Sequence, residues 1–208
     1  MRVGGALREG RGEWYGRRAM STAAERFVTV TDLLALPDEG RGFEVVDGAL
    51  TEKLAGPRHG GAQFAFGAVL LPYSRRRGAG GPGGWLFGTE VVVEFEPREV
   101  YRPDVAGWRR ERLAAFSDEA VVRLAPDWAC EILSPGNARN DTVKKKRVYH
   151  RHKVGHYWLL DPMRETLTVY RWTDEAYLEV LSAERGERVR AEPFGEVELD
   201  LGVFFDDA

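Results

Sequence analysis

Residues 127–161 read DWACEILSPGNARNDTVKKKRVYHRHKVGHYWLLD, and the order of polarity along them decides the fold. Positions 128–133 form a short run of strand formers broken by one acid, Glu131. Ser134, Pro135, Gly136 and Asn137 are turn material. Positions 141–153 are charged, with Val143, Val148 and Tyr149 as apolar members, and positions 156–160 return to apolar and aromatic residues before Asp161 and Pro162. This pattern predicts strand, loop, helix, strand. A carboxylate inside a buried strand is costly unless it is paired or holds a metal, so Glu131 demands an explanation.

Composition sets the outer bounds. The chain has 208 residues, 43% hydrophobic and 30% charged, which fits one globular domain with a sizeable core. A net charge of −3 is not the global signature of a nucleic-acid binder, so any such binding needs a local basic patch. One cysteine, Cys130, excludes an internal disulfide framework and a cysteine-ligated zinc site, and suits a reducing, cytoplasmic location. No apolar run approaches the roughly 18 residues of a membrane span. Residues 1–19 hold five arginines and five glycines without an apolar core, so they read as a disordered arm or a misassigned start rather than a secretory signal. Residues 20–208 read as a single domain.

From residue 20 onward, Thr31 and Asp32 are expected to cap a short helix through Ala35. Positions 43–52 alternate around Asp47-Gly48, a hairpin signal. Positions 57–61, with His59, read as a loop, and 62–73 as a helix packed on a sheet. Positions 75–84 read as a loop rich in arginine and glycine. Positions 85–96 and 101–108 each read as one strand, with Pro103 favouring the start of the second. The stretch 109–124 is charged and partly helical in expectation, and 165–172 with 177–181 reads as a strand pair.

The chemistry gathers on three segments. Alternation places Ala129, Glu131 and Leu133 on one face of their strand and Trp128, Cys130 and Ile132 on the other. Asp104 falls in the 101–108 strand. Were the two strands neighbours, Asp104 and Glu131 could converge on a hard cation such as magnesium, with the Ile132 carbonyl as a further ligand. On the helix, Lys145, Val148 and His152 each lie within about 40° of Asp141 around the axis. Lys145 therefore points toward the sheet, where it could hold a water or stabilise phosphate charge. Seven basic residues against one acid between positions 139 and 153 supply the local patch the whole chain lacks. Patch and metal together favour a polyanionic substrate.

Arg102-Pro103-Asp104-Val105, Glu131-Ile132-Leu133-Ser134-Pro135, the Asp141, Lys145, Tyr149 spacing, and Tyr157-Trp158-Leu159 followed by Asp161-Pro162 together resemble the Uma-type putative restriction endonuclease family. Phe43-Glu44-Val45-Val46-Asp47-Gly48 and His59 match the same pattern, which covers positions 27–205. That family sits in the PD-(D/E)xK nuclease superfamily. The resemblance implies an α/β, restriction-endonuclease-like mixed sheet flanked by helices, with Asp104 and Glu131 as metal ligands and Glu44 as an accessory acid. The superfamily's usual lysine position, two residues after the second acid, is here Leu133. The resemblance implies that the lysine has moved to the helix, which makes Lys145 the candidate.

The expectation is a magnesium-dependent endonuclease acting on DNA through that basic patch, with manganese able to substitute. A homodimer would suit cleavage of both strands. The alternative is a catalytically silent nuclease-fold module that binds DNA or a protein. A glycosidase-like use of the two acids is a third reading, and the lysine-rich helix argues against it. Ser134 reads as a turn residue, since no nucleophile elbow surrounds it. Tyr149 and Trp158 read as core.

Overall fold

The structure, a computed structural model, describes residues 26–75, 81–136 and 138–205. The 1–19 arm, positions 76–80 of the arginine- and glycine-rich loop, and Asn137 lie outside the described residues.

The opening stretch folds as its pattern predicts. Strand β7 (Trp128–Ile132) runs parallel to β8 (His156–Asp161), with Cys130 opposite Trp158 and Glu131 opposite Leu159. Parallel neighbours need a crossover. Here it is a π-helical turn (Asn140–Lys145) leading into α3 (Lys146–Arg151). This pair is the centre of a six-stranded mixed sheet. Beyond β8 lie β9 (Thr166–Trp172) and β10 (Tyr177–Glu184); beyond β7 lie β6 (Val105–Arg109) and β3 (Trp85–Gly88). A four-stranded antiparallel sheet holds β2 (Ala49–Glu52), β1 (Phe43–Val46), β5 (Glu99–Tyr101) and β4 (Val93–Glu96) in that order.

Each face of the large sheet has its own cover. Helix α2 (Pro57–Ser74) lays Phe66 and Leu70 on Trp128, Cys130, Ile132 and Trp158, and Phe194 and Phe204 close that core. On the other face Ala106, Trp108, Ala129, Tyr157 and Leu159 meet Val148 and Tyr149 of α3 and Phe95 and Tyr101 of the small sheet. Tyr149 and Trp158 are core, as expected, and Glu131 shares its face with Ala129.

Several expectations are corrected. The first helix, α1 (Val30–Leu34), is capped by Thr29, whose side chain takes the Asp32 N–H while Asp32 returns the bond to the Thr29 N–H. This reciprocal pairing satisfies two end groups, where Thr31 would satisfy one. Residues 57–61 are the first turn of α2 rather than a loop, because Pro57 at the first helical position starts it. Positions 85–96 do not form one strand. The chain leaves the large sheet after Gly88, turns at Glu90 (φ 55°) and enters the small sheet as β4. Positions 101–108 split likewise at Arg102, Pro103 and Asp104, so Asp104 precedes β6 instead of lying within it. Residues 109–124 carry no helix: Arg109 ends β6, and past it there is only a bridge from Val122 to Val93. The Asp47-Gly48 hairpin holds, with both residues at positive φ.

Candidate active site

The two corners at which the chain changes sheets, together with the end of β7, enclose a group of buried charges. Val105 stands opposite Cys130 in the antiparallel β6–β7 register, so one step further places Asp104 opposite Glu131, on the same face. Asp104 Oδ2 accepts the Ile132 N–H at 2.6 Å, which fixes the carboxylate against β7. Two positions earlier, Arg102 is pinned by its N–H to Glu44 Oε1 at 2.7 Å and by its guanidinium to the Glu39 carbonyl at 2.7 Å.

Lys145 is 1% exposed and is directed inward by the π-helical turn. Its Nζ lies 2.8 Å from Glu44 Oε2, 3.1 Å from Asp141 Oδ1 and 3.2 Å from Glu131 Oε1. Glu131 Oε1 also accepts the Tyr149 hydroxyl. On the other side of the site, Lys53 reaches Asp104 Oδ1 at 2.6 Å and Glu90 Oε1 at 2.9 Å, and donates to the Arg102 carbonyl. His59 Nε2 stands 2.9 Å from Asp104 Oδ1, and Gln63 donates to the Asp104 carbonyl at 2.7 Å.

The structure thus brings together Glu44, Asp104, Glu131 and Lys145. It places the two principal acids on different lysines. Ile132 meets Asp104 through its N–H, a contact that does not involve the carbonyl expected to ligate. Lys53 and Glu90 are not among the candidates the sequence offers, and His59, which matches the family pattern, stands in the first turn of α2 rather than in a loop. Their one shared signal is position beside a turn, which most polar residues share.

The charges do not balance. Glu44, Asp104, Glu131 and Asp141 are all buried, and the buried ammonium groups facing them are Lys53 and Lys145. Burial pushes the Glu131 carboxyl well above its ordinary range; Lys145 opposes the push, and Asp141 and Asp104 add to it. Burial likewise raises Asp141. Asp104 goes the other way: burial works against its charge, yet Lys53 and His59 hold it below the usual range. Burial would discharge Lys145, but Asp141, Glu131 and Glu44 more than reverse this and keep it an ammonium.

Glu131 Oε2 is buried without a hydrogen-bond partner, and Asp104 Oδ1 and Asp141 Oδ1 have ion-pair contacts but no well-directed hydrogen bond. A buried carboxyl oxygen with no partner, Glu131 Oε2, beside acids whose charges burial disfavours, fits a hard divalent cation. Among the described residues no three acid, histidine or cysteine groups converge as a ready-made cage. A site with two carboxylates therefore leaves the other positions to water or carbonyl oxygen, which is magnesium's habit.

A family profile described as "Putative restriction endonuclease", Uma2, matches residues 30–202. The chain belongs to the Uma2 family. The matched span includes every residue of the buried cluster. Among solved structures, the Uma2 chain is similar to one described as a putative nuclease belonging to DUF820 from Anabaena variabilis. The TM-score is 0.63 at 21% identity, covering 86% of this chain and 97% of that one. At that identity the likeness is one of fold, and it agrees with the mixed sheet and its flanking helices. No match was found among curated proteins. No helix among the described residues is long and apolar enough to cross a membrane.

Proposed function

We propose that the protein is a magnesium-dependent endonuclease that hydrolyses phosphodiester bonds in DNA. One observation carries the reading: the β6–β7 register sets Asp104 beside Glu131, at the end of a sheet where Lys145 is buried among Glu44, Glu131 and Asp141. Asp104, the unpartnered Oε2 of Glu131 and the Ile132 carbonyl would hold the ion, and manganese would substitute. Bound there, the ion supplies Lewis acidity to a phosphate oxygen and lowers the pKa of a water.

The chain's own residues do the rest. Glu44 takes the Arg102 N–H and Lys145 with one carboxylate, so it locks the Asp104 corner to the helix that carries Lys145. Lys145 then presents a fixed positive charge to the phosphate as its negative charge grows. Tyr149 holds one oxygen of Glu131 and leaves the other free. The exposed Arg139, Arg147 and Lys153 would meet the DNA backbone. Two copies of the chain would serve the two strands.

Glu131→Gln keeps the acceptor for Tyr149 and Lys145 and removes the charge. We expect the folded variant to lose at least about a hundredfold in magnesium-dependent plasmid cleavage, in the range seen for loss of a key electrostatic group. Cleavage at the wild-type rate by a folded Gln variant would reject the reading. A silent module is the second reading, favoured by the ammonium group already on each principal acid. Calorimetry with manganese separates the two, since a silent module has no need of the ion.

A further inference from the structure

Two buried ammonium groups stand in this centre, and Lys145 accounts for one of them. Lys53 follows β2, and its N–H donates to the Gly42 carbonyl at 2.7 Å, which fixes the backbone from which the side chain departs. That side chain is 8% exposed. Its ammonium donates to Glu90 Oε1 at 2.9 Å and to the Arg102 carbonyl, and it forms an ion pair with Asp104 Oδ1 at 2.6 Å without a well-directed hydrogen bond. Two carboxylates and a carbonyl around one positive charge are the ligand chemistry of a hard cation.

The cage is assembled from distant parts of the chain. Glu90 belongs to the corner between β3 and β4, Arg102 and Asp104 to the corner between β5 and β6, and Lys53 to the end of the β1–β2 hairpin. Glu90 adopts φ 55°, a left-handed conformation uncommon outside glycine, and from there its carboxylate meets Lys53. Asp104 is 1% exposed, and its Oδ1 has no well-directed hydrogen bond although Lys53 and His59 are both near, so a lone pair there still lacks a donor. None of the three carboxylates around Lys145 lies in an ion pair with Lys53.

We propose that Lys53 supplies, with its own ammonium, the second cation of this centre, so that the enzyme takes up a single divalent ion. The inference rests on the two-acid reading above. Centres with two ions clamp the attacking and leaving oxygens of an in-line displacement. Here one of the two charges is tethered to the chain, and it reaches the scissile phosphate as a fixed field beside Asp104. Lys53 is a positioning residue in this scheme, since its donors are spent on the cage.

The test counts ions. Manganese titration by calorimetry and electron paramagnetic resonance should find one ion per wild-type chain. Lys53→Met empties the cage, and the count should rise to two with a spin-coupled signal. Adding Glu90→Gln should return it to one. A single ion on folded Lys53→Met, or two on the wild type, overturns the inference and leaves the two-acid reading standing. No ion on either protein sinks both. A measurement on the wild type stands independently of whether the variant folds: the Lys53 15N ammonium resonance should persist when the protein is saturated with magnesium. Its loss to solvent exchange would show that the ion displaces the lysine, and the inference fails.

Discussion

Asp104 and Glu131 carry the same chemistry, and their surroundings pull them in opposite directions. Asp104 has Lys53 and His59 close by, and their contacts hold its carboxyl down against burial. Glu131 is fully buried and shares Lys145 with two other acids, so burial holds its carboxyl up. The signs of two substitutions follow. For Asp104 the folded state favours the charged form. Its contribution is complete above the unfolded carboxyl value, roughly 4, and is lost as pH falls through the lowered folded value. Asp104→Asn should therefore destabilise the protein at pH 7 by about 3 kcal/mol, the scale of a broken buried pair. The difference from wild type should shrink in acid. For Glu131 the folded state favours the proton, so its penalty grows as pH rises from the unfolded value through the raised folded one. Glu131→Gln removes that penalty. Without divalent ions its denaturation midpoint at pH 8 should equal or exceed that of wild type, even though cleavage is lost. A drop in midpoint comparable to that of Asp104→Asn would refute the assignment of opposite signs. Glu131 could be singled out in the sequence because an acid interrupts an apolar strand. Lys53 and Glu90 could not, since each sits beside a turn and the Lys53 ion pairs span 37 and 51 positions of chain.

At the level of elements, what positions Lys145 is one irregular turn. A regular α-helix through Asp141 and Lys145 was expected to put both on one face, and both are indeed buried. The turn from Asn140 to Lys145 is π-helical, however, and α-helix resumes at Lys146. Such a turn holds a residue more than an α-helix would, and it often marks a functional site. Hydrophobic periodicity cannot report it, because its polar run gives no phase to read. Deleting Val143, which is exposed, should restore α-helical winding and turn Asp141 by about 100° relative to Lys145. Circular dichroism should then show a folded protein with its helix intact. Cleavage should fall by at least about a hundredfold, as expected when a positioned group is misplaced by an ångström or more. Retained cleavage would mean that the Asp141–Lys145 pair is dispensable. The strands were legible for a related reason: the Asp47-Gly48 hairpin and the β7–β8 crossover announce themselves through local turn chemistry and alternation. The split of 85–96 and of 101–108 between two sheets did not, because an apolar run looks alike whichever sheet receives it. Those same splits create the corners that hold Glu90 and Asp104.

Over the whole molecule, the basic run from 139 to 153 is less of a surface than its sequence suggests. Lys145 is internal. Lys144 pairs with Asp47 at 2.7 Å and Arg151 with Glu96 at 2.8 Å, while Lys146 lies over the Tyr170 ring, 3.4 Å from its centroid. Arg139, Arg147 and Lys153 remain exposed with no ion-pair partner among the described residues, Lys153 standing 5.7 Å from the Trp172 ring centroid. The net charge of −3 adds no long-range attraction for a polyanion. Each phosphate neutralised on duplex DNA contributes about −0.9 to the slope of log affinity against log salt. With these three exposed cations engaged the slope should be about −3, where the run's full count of seven would give about −6. Fluorescence anisotropy on a short duplex, with Glu131→Gln to prevent cleavage, measures this directly. Arg139→Glu combined with Arg147→Glu should bring the slope to about −1 and weaken binding similarly across sequences. A wild-type slope steeper than about −5 would mean that Lys144 and Arg151 leave Asp47 and Glu96 for the phosphates. The β1–β2 hairpin, which carries Glu44 and Lys53, would then be loosened by DNA binding itself.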